Sequence, residues 1–108
     1  MDPSTGRDQF RQACTRLYED FFARFPNDKL HVEVRNTLAL LLVKKESFAG
    51  ALGGWAGGLV YAVGCTSGCG VPNVLNTELA AAFGVSMDSI RRRAWHIRRL
   101  LWKEYAWM

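Results

Sequence analysis

A glycine-dense apolar segment in the middle of the chain limits the folds that this sequence can adopt. Five glycines lie among large apolar side chains between positions 49 and 63: Gly50, Gly53, Gly54, Gly57 and Gly58. Each glycine weakens a helix by about 1 kcal/mol relative to alanine, so such a helix forms only when close neighbours enclose it. We therefore predict that Gly54–Gly64 is the central helix of an all-α bundle. A phosphate-binding loop is the alternative, but no G-x-G-x-x-G follows a strand and no P-loop lysine is present.

Two amphipathic segments precede this central helix. Between Arg7 and Phe25 the apolar residues recur at steps of three and four, which predicts a helix: Phe10, Cys14, Leu17, Phe21 and Phe25. A second helix is predicted from about Asp28 to Lys45, because apolar residues again repeat at helical spacing. A short strand within Leu38–Val43 stays open as an alternative, since periodicity does not exclude it in so short a run. The sequence offers no partner strand.

The length and composition predict one folded domain over residues 1–108. The chain is 49% hydrophobic and 22% charged, values typical of a globular protein. No apolar run reaches the roughly 18 residues of a membrane span. The first ten residues lack the apolar stretch of a signal peptide, so we expect a cytoplasmic protein without membrane contact.

The cysteines and histidines do not form a recognisable site. Cys65 and Cys69 are spaced as C-x3-C, which is neither a zinc-ribbon nor a redox spacing. His31 and His96 have no ligand spacing to them or to each other. We expect a buried reduced thiol at Cys14, with Cys65 as the second candidate, and we expect no metal and no cofactor. No paired carboxylates or nucleophile motif indicates an enzyme, so we expect none.

The stretch from Thr77 to Ala94 has the layout of a helix-turn-helix. Thr77 is a possible N-cap of the first helix. Gly84 stands where the backbone needs a left-handed residue, and Val85 is expected to fill the gap between the two helices. Ser86 is the predicted N-cap of the second helix.

The second helix of this motif divides into an apolar stripe and a basic face at 100° per residue. The inward stripe is formed by Ile90, Ala94, Ile97 and Leu101. The opposite face carries Asp88, Arg92, Trp95 and Arg99. One flank holds Arg91 and Arg98, and the other holds Arg93 and His96. The tail that follows, with Trp102 and Trp107, is unusually aromatic and is expected to fold back onto the domain or onto another subunit.

The positive charge is concentrated in the second half of the chain. Residues 1–54 hold 8 Lys and Arg against 7 Asp and Glu, whereas residues 55–108 hold 6 against 3. All six of those basic residues lie after position 90. A basic helix favours a polyanion partner, although a solvated face is the simpler explanation for arginines considered alone. Their place on the second helix of a helix-turn-helix favours nucleic acid.

The segments WAGGLVYAVG and TELAAAFGVSMDSIRRRAWHIRRLL together resemble the second half of a cyclin-box repeat of the transcription factor TFIIB type. Bacterial domains with the pattern W-A-A-G-I-V-Y-A-L-G followed by E-L-A-x-x-F-G-V-S are similar as well. The resemblance covers roughly Trp55–Leu101 and implies a five-helix cyclin-like domain with a central third helix. It also implies that five residues meet DNA: Ser86, Ser89, Arg91, Arg92 and Arg93. The chain departs from the TFIIB type in having one repeat and no zinc ribbon.

Two functions from different classes follow. The first is double-stranded DNA binding, with phosphate or base contacts from Ser86, Ser89, Arg91, Arg92 and His96 and backbone contacts from Arg98, Arg99 and Lys103. Arg93 lies nearest the apolar stripe and could instead pair with another helix. The second is a cyclin-box adaptor or homodimer that binds protein through the surfaces of Trp55, Trp95, Trp102 and Trp107.

Overall fold

The computed structural model describes residues 3–44, 48–65 and 70–102, with side chains placed over 6–44, 48–65 and 70–101. Five helices form this part of the chain: α1 (Pro3–Arg24), α2 (Asp28–Leu42), α3 (Leu52–Gly64), α4 (Asn76–Phe83) and α5 (Met87–Trp102). No strand occurs within these ranges. The predicted all-α fold class is therefore confirmed.

The first two helices form close to where the sequence places them. α1 ends before Pro26, because a residue that precedes proline is disfavoured in the helical region. The side chain of Asn27 then caps α2 by accepting a hydrogen bond from the Leu30 backbone N–H at 3.1 Å. α2 continues through Leu42, so the alternative of a strand within Leu38–Val43 was wrong, and the helix ends before the predicted Lys45.

The glycine-rich helix α3 lies at the centre of the bundle and contacts all four other helices. Its residues from Gly54 to Val60 are all buried, and Trp55 and Leu59 are each 1% exposed. A Cβ added at Gly58 would lie 2.9 Å from Arg93 Cβ and 3.0 Å from the Ala94 backbone nitrogen. The absence of a side chain at Gly58 is therefore what allows α5 to approach α3 so closely. The predicted enclosure of this helix is confirmed, although it begins at Leu52 rather than Gly54.

The turn between α4 and α5 has the predicted left-handed glycine. Gly84 has φ 68° and ψ 28°, and the backbone N–H of Val85 donates to the Ala80 carbonyl at 3.3 Å. The Gly84 N–H donates to the Ala81 carbonyl at the same distance, which completes a Schellman motif. Val85 is half-buried, and its Cγ1 lies 3.1 Å from the position of a Cβ on Gly53, so it packs against the start of α3 as expected.

The start of α4 differs from the prediction. Leu75, rather than Thr77, is the residue that precedes the helix, and Thr77 lies exposed in its first turn. The Glu78 carboxylate accepts a hydrogen bond from the Leu75 backbone N–H at 2.9 Å. An acidic side chain in the first turn also interacts favourably with the helix dipole. Glu78 thus stabilises the helix start that the sequence had assigned to the threonine hydroxyl.

Candidate nucleic-acid interface

One face of α5 is fixed against the bundle, and this determines which side chains face outward. Ile90 and Ile97 are fully buried, Ala94 is 4% exposed, and Leu101 is half-buried against the core. This is the predicted apolar stripe. A Cβ on Gly57 would lie 3.1 Å from both Cγ1 and Cδ1 of Ile90, so the stripe packs directly on α3. The rotation of α5 about its axis is therefore set by packing.

The two serines predicted at the site organise the first turn of α5. The Ser86 hydroxyl accepts a hydrogen bond from the Ser89 backbone N–H at 3.1 Å and donates to the Ser89 hydroxyl oxygen at 3.1 Å. Ser86 is therefore the N-cap that the sequence predicted.

Arg91 lies on an exposed flank and has two polar neighbours. Its Nη1 donates to the Asp88 carboxylate at 3.3 Å, and both side chains are largely solvent-exposed. It also lies near the Tyr61 hydroxyl on α3. Burial raises the pKa of Tyr61, and the neighbouring Cys65 thiol raises it further, whereas Arg91 acts in the opposite direction. An exposed ion pair of this kind contributes little to stability, so the Arg91 guanidinium can exchange Asp88 for another anion.

The other flank of α5, formed by Arg93 and His96, contacts α3. The Arg93 guanidinium carbon lies 4.2 Å from the centroid of the Trp55 ring, and the His96 ring lies 5.5 Å from it. Arg93 Nη2 donates to the Ala49 carbonyl at 3.3 Å, and Nη1 lies 3.3 Å from Nδ1 of His96. The expectation that Arg93 pairs with another helix is confirmed. Both side chains are half-buried, so they support the exposed face from the side.

The outward face of α5 carries Arg92, Trp95 and Arg99, all exposed as predicted. Trp95 is 50% exposed. The expectation that Trp55 also binds a partner was wrong, because Trp55 is 1% exposed. Within the described ranges, no carboxylate lies within salt-bridge distance of Arg92 or Arg99. Arg98 is half-buried on the flank next to them. Lys103, Trp107 and the side chain of Trp102 lie outside the described residues. We call Arg92, Trp95 and Arg99 the outward face below.

The sequence did not indicate the segment before α3 that contacts the Arg93 flank of α5. The Ala49 carbonyl accepts hydrogen bonds from Arg93 and, at 2.8 Å, from Nε1 of Trp55. Phe48 stacks on Phe10 with ring centroids 4.4 Å apart. Phe48 and Ala49 precede α3 and follow no helical periodicity, so the spacing of apolar residues did not indicate them. The one available signal was that the indole N–H of a buried tryptophan needs a hydrogen-bond acceptor.

Neither cysteine in the described part of the chain belongs to the outward face. Cys14 is buried, and burial raises its pKa to about 12. Cys65 is half-buried and its sulfur accepts a hydrogen bond from the Gly70 backbone N–H at 3.1 Å. Cys69 lies outside the described residues. Among the side chains that are placed, no three His, Cys, Asp or Glu come together as metal ligands.

No helix in the described part of the chain has both the length and the apolar character that a membrane span needs. Comparison of the chain with models of protein families, with curated proteins and with solved structures gave no match.

Proposed function

We propose that the chain binds double-stranded DNA through the outward face of α5, with α4, the Gly84 turn and α5 acting as a helix-turn-helix. The observation that carries the proposal is the pair of exposed arginines, Arg92 and Arg99, without a carboxylate partner among the described residues. They lie on a helix whose opposite face is fixed by packing. In helix-turn-helix proteins the second helix enters the major groove while the first crosses the backbone.

The predicted site residues take different parts in this proposal. Arg91, Arg92 and Arg99 contact phosphates or base edges, and Ser86 and Ser89 contact phosphate near the start of the helix. The remaining predicted residues act from the sides: Arg93 and His96 hold α5 against Trp55, while Arg98 and Lys103 reach the DNA backbone. A cytoplasmic location, a TFIIB-like cyclin fold and a role in regulating transcription belong to the same proposal.

The proposal is tested by fluorescence-anisotropy titration of a labelled duplex with the wild-type domain and two single variants. Arg92→Ala should weaken binding by roughly tenfold, the effect of losing one hydrogen bond to a charged group. Arg16→Ala, which removes an exposed arginine from α1, should leave the affinity nearly unchanged. An Arg92→Ala variant that binds the duplex as tightly as the wild type would contradict the proposal.

A second function is supported by one observation, the 50% exposure of Trp95. Tryptophan is enriched at protein interfaces, and this one could bind another protein or a second copy of the chain together with Trp102 and Trp107. Sedimentation of wild type and Trp95→Ala separates the two functions. A dimer that Trp95→Ala converts to a monomer, without duplex binding in either, supports the adaptor function over DNA binding.

A further inference from the structure

A small cavity lies between the start of α3 and the first turns of α5. It has a volume of about 150 Å³ and is lined by Ala51 and Gly54 on one side and by Ser89, Arg92 and Arg93 on the other. Arg92 belongs to the outward face, so the cavity opens beside the surface that we propose for DNA. Neither Ala51 nor Gly54 was part of the predicted site.

The lining of the cavity favours an anion. Its polar side chains are two guanidinium groups and one hydroxyl, and no carboxylate is among the lining residues. Arginine binds phosphate oxygens through paired N–H donors in a fixed planar arrangement. α3 begins at the same cavity, and Ala51 provides no side-chain cap for it. The backbone N–H groups of this turn add positive potential to that of the arginines.

Gly54 keeps the cavity open, and packing does not explain why this position is a glycine. A Cβ added at Gly54 would meet nothing within 4 Å. At Gly53, Gly57 and Gly58, in contrast, an added Cβ would come within about 3.1 Å of α4, α5 or the turn between them. Gly53, Gly57 and Gly58 are thus needed for close helix contact, whereas Gly54 faces the space between α3 and the two arginines.

We propose that this cavity holds one phosphate of a bound nucleic acid backbone, with Arg92 and Ser89 as donors and with the positive potential at the start of α3 beside them. The inference rests on the proposed function, because it gives a backbone phosphate of the duplex a defined place next to the outward face. Arg93 contributes charge while it stays on Trp55 and the Ala49 carbonyl. The same chemistry could serve a free phosphate, and the experiment separates these two sources.

The test compares Gly54→Leu with Gly6→Leu. Both replace a helical glycine whose added Cβ would meet nothing within 4 Å, and Gly6 lies on α1. Leucine is a strong helix former, so neither variant should melt below the wild type. Gly54→Leu should weaken duplex binding roughly tenfold and flatten the salt slope by about 0.9, the value of one phosphate contact. Gly6→Leu should do neither.

A second arm uses inorganic phosphate and NMR of the backbone amides. Phosphate should shift the amide signals of Gly53 and Gly54 in the wild type and not in Gly54→Leu. If Gly54→Leu does not fold, Ser89→Ala replaces it, because the Ser86 oxygen that caps α5 is retained. Ser89→Ala should weaken duplex binding and the phosphate shifts together.

The outcomes distinguish this inference from the proposed function. Wild-type duplex affinity in Gly54→Leu, together with weak binding by Arg92→Ala, would overturn the cavity inference and leave DNA binding intact. Phosphate shifts at Gly54 without any duplex binding would overturn both, and would identify a site for free phosphate. Loss of duplex binding in Gly54→Leu, with the Gly6→Leu control unaffected, supports both.

Discussion

At the scale of single residues, the side chains of α5 differ in function although the sequence presents them as one block of arginines. Arg92 is exposed, whereas Arg93 packs on the Trp55 ring and donates to the Ala49 carbonyl. The helical period alone places these two neighbours 100° apart, and this is enough to direct one to solvent and the other to α3. The sequence therefore predicted which arginine is nearest the core, but it did not identify Trp55 as its partner.

Arg93→Ala tests the structural part of this division. The variant loses a cation–π contact and a hydrogen bond to a charged group, so the free energy of unfolding should fall by about 1–3 kcal/mol. Arg99→Ala, which removes an exposed arginine from the same helix, should change it by less than about 0.5 kcal/mol. Urea denaturation measures both. Equal stability of the two variants would show that the Trp55 contact contributes nothing.

The glycines of α3 allow a second test at this scale, because Gly58 and Gly54 differ only in their surroundings. Gly58→Ala places a methyl group 2.9 Å from Arg93 Cβ and should destabilise the domain by roughly 1–3 kcal/mol through overpacking. Gly54→Ala meets no atom within 4 Å and should stabilise it by about 0.5–1 kcal/mol, the ordinary gain of alanine in a helix. Thermal melting gives the sign of each change. A higher melting temperature for Gly58→Ala would contradict the close packing of α3 and α5.

At the scale of helices and turns, the sequence predicted what depends on local chemistry. The stop at Pro26, the Asn27 and Ser86 caps and the left-handed Gly84 each follow from one residue's own backbone or hydrogen-bonding preference. Gly84 and Ser86 were predicted from the sequence, whereas the Asn27 cap was not. The prediction that Thr77 caps α4 was wrong, because the helix already begins at Asn76. Glu78 accepts a hydrogen bond from the Leu75 N–H and so stabilises that earlier start.

Gly84 provides the prediction that belongs to this scale. A Cβ at Gly84 would meet nothing within 4 Å, so a substitution there is opposed by backbone strain at φ 68° and not by packing. Gly84→Ala should lower the free energy of unfolding by about 1–2 kcal/mol, Gly84→Asn by less, and Gly84→Val by more. Chemical denaturation of the three variants gives the order. An asparagine variant less stable than the valine variant would contradict the left-handed turn.

At the scale of the whole molecule, helix packing determines which charges face outward together. The sequence predicted the all-α bundle and the central place of α3, because dense glycine in an apolar helix requires close neighbours. It did not predict the cavity of Ala51, Gly54, Ser89 and the two arginines, since that cavity joins residues distant in sequence. Lys103 was predicted to contact the DNA backbone and Trp107 to bind protein. Both residues lie outside the described part of the chain, so these two stay predictions.

The arrangement of charge also sets an expectation for salt dependence. If DNA phosphates are neutralised by the outward face, the logarithm of affinity falls with the logarithm of salt concentration by about 0.9 per contact. Net charge of the whole domain alone would give a dependence that follows the number of basic residues and ignores their position. The two cases are separated by variants that change the charge equally at different places.

The most direct measurement is therefore the salt slope of duplex binding for two double variants of equal charge. Arg92→Ala/Arg99→Ala removes the two outward-face arginines, and Arg16→Ala/Arg35→Ala removes two exposed arginines from α1 and α2. Anisotropy titrations at several salt concentrations should give a slope flatter by about two units for the first variant and close to the wild type for the second. Equal slopes for the two variants, or no duplex binding by the wild type at about 50 mM salt, would contradict DNA binding through α5.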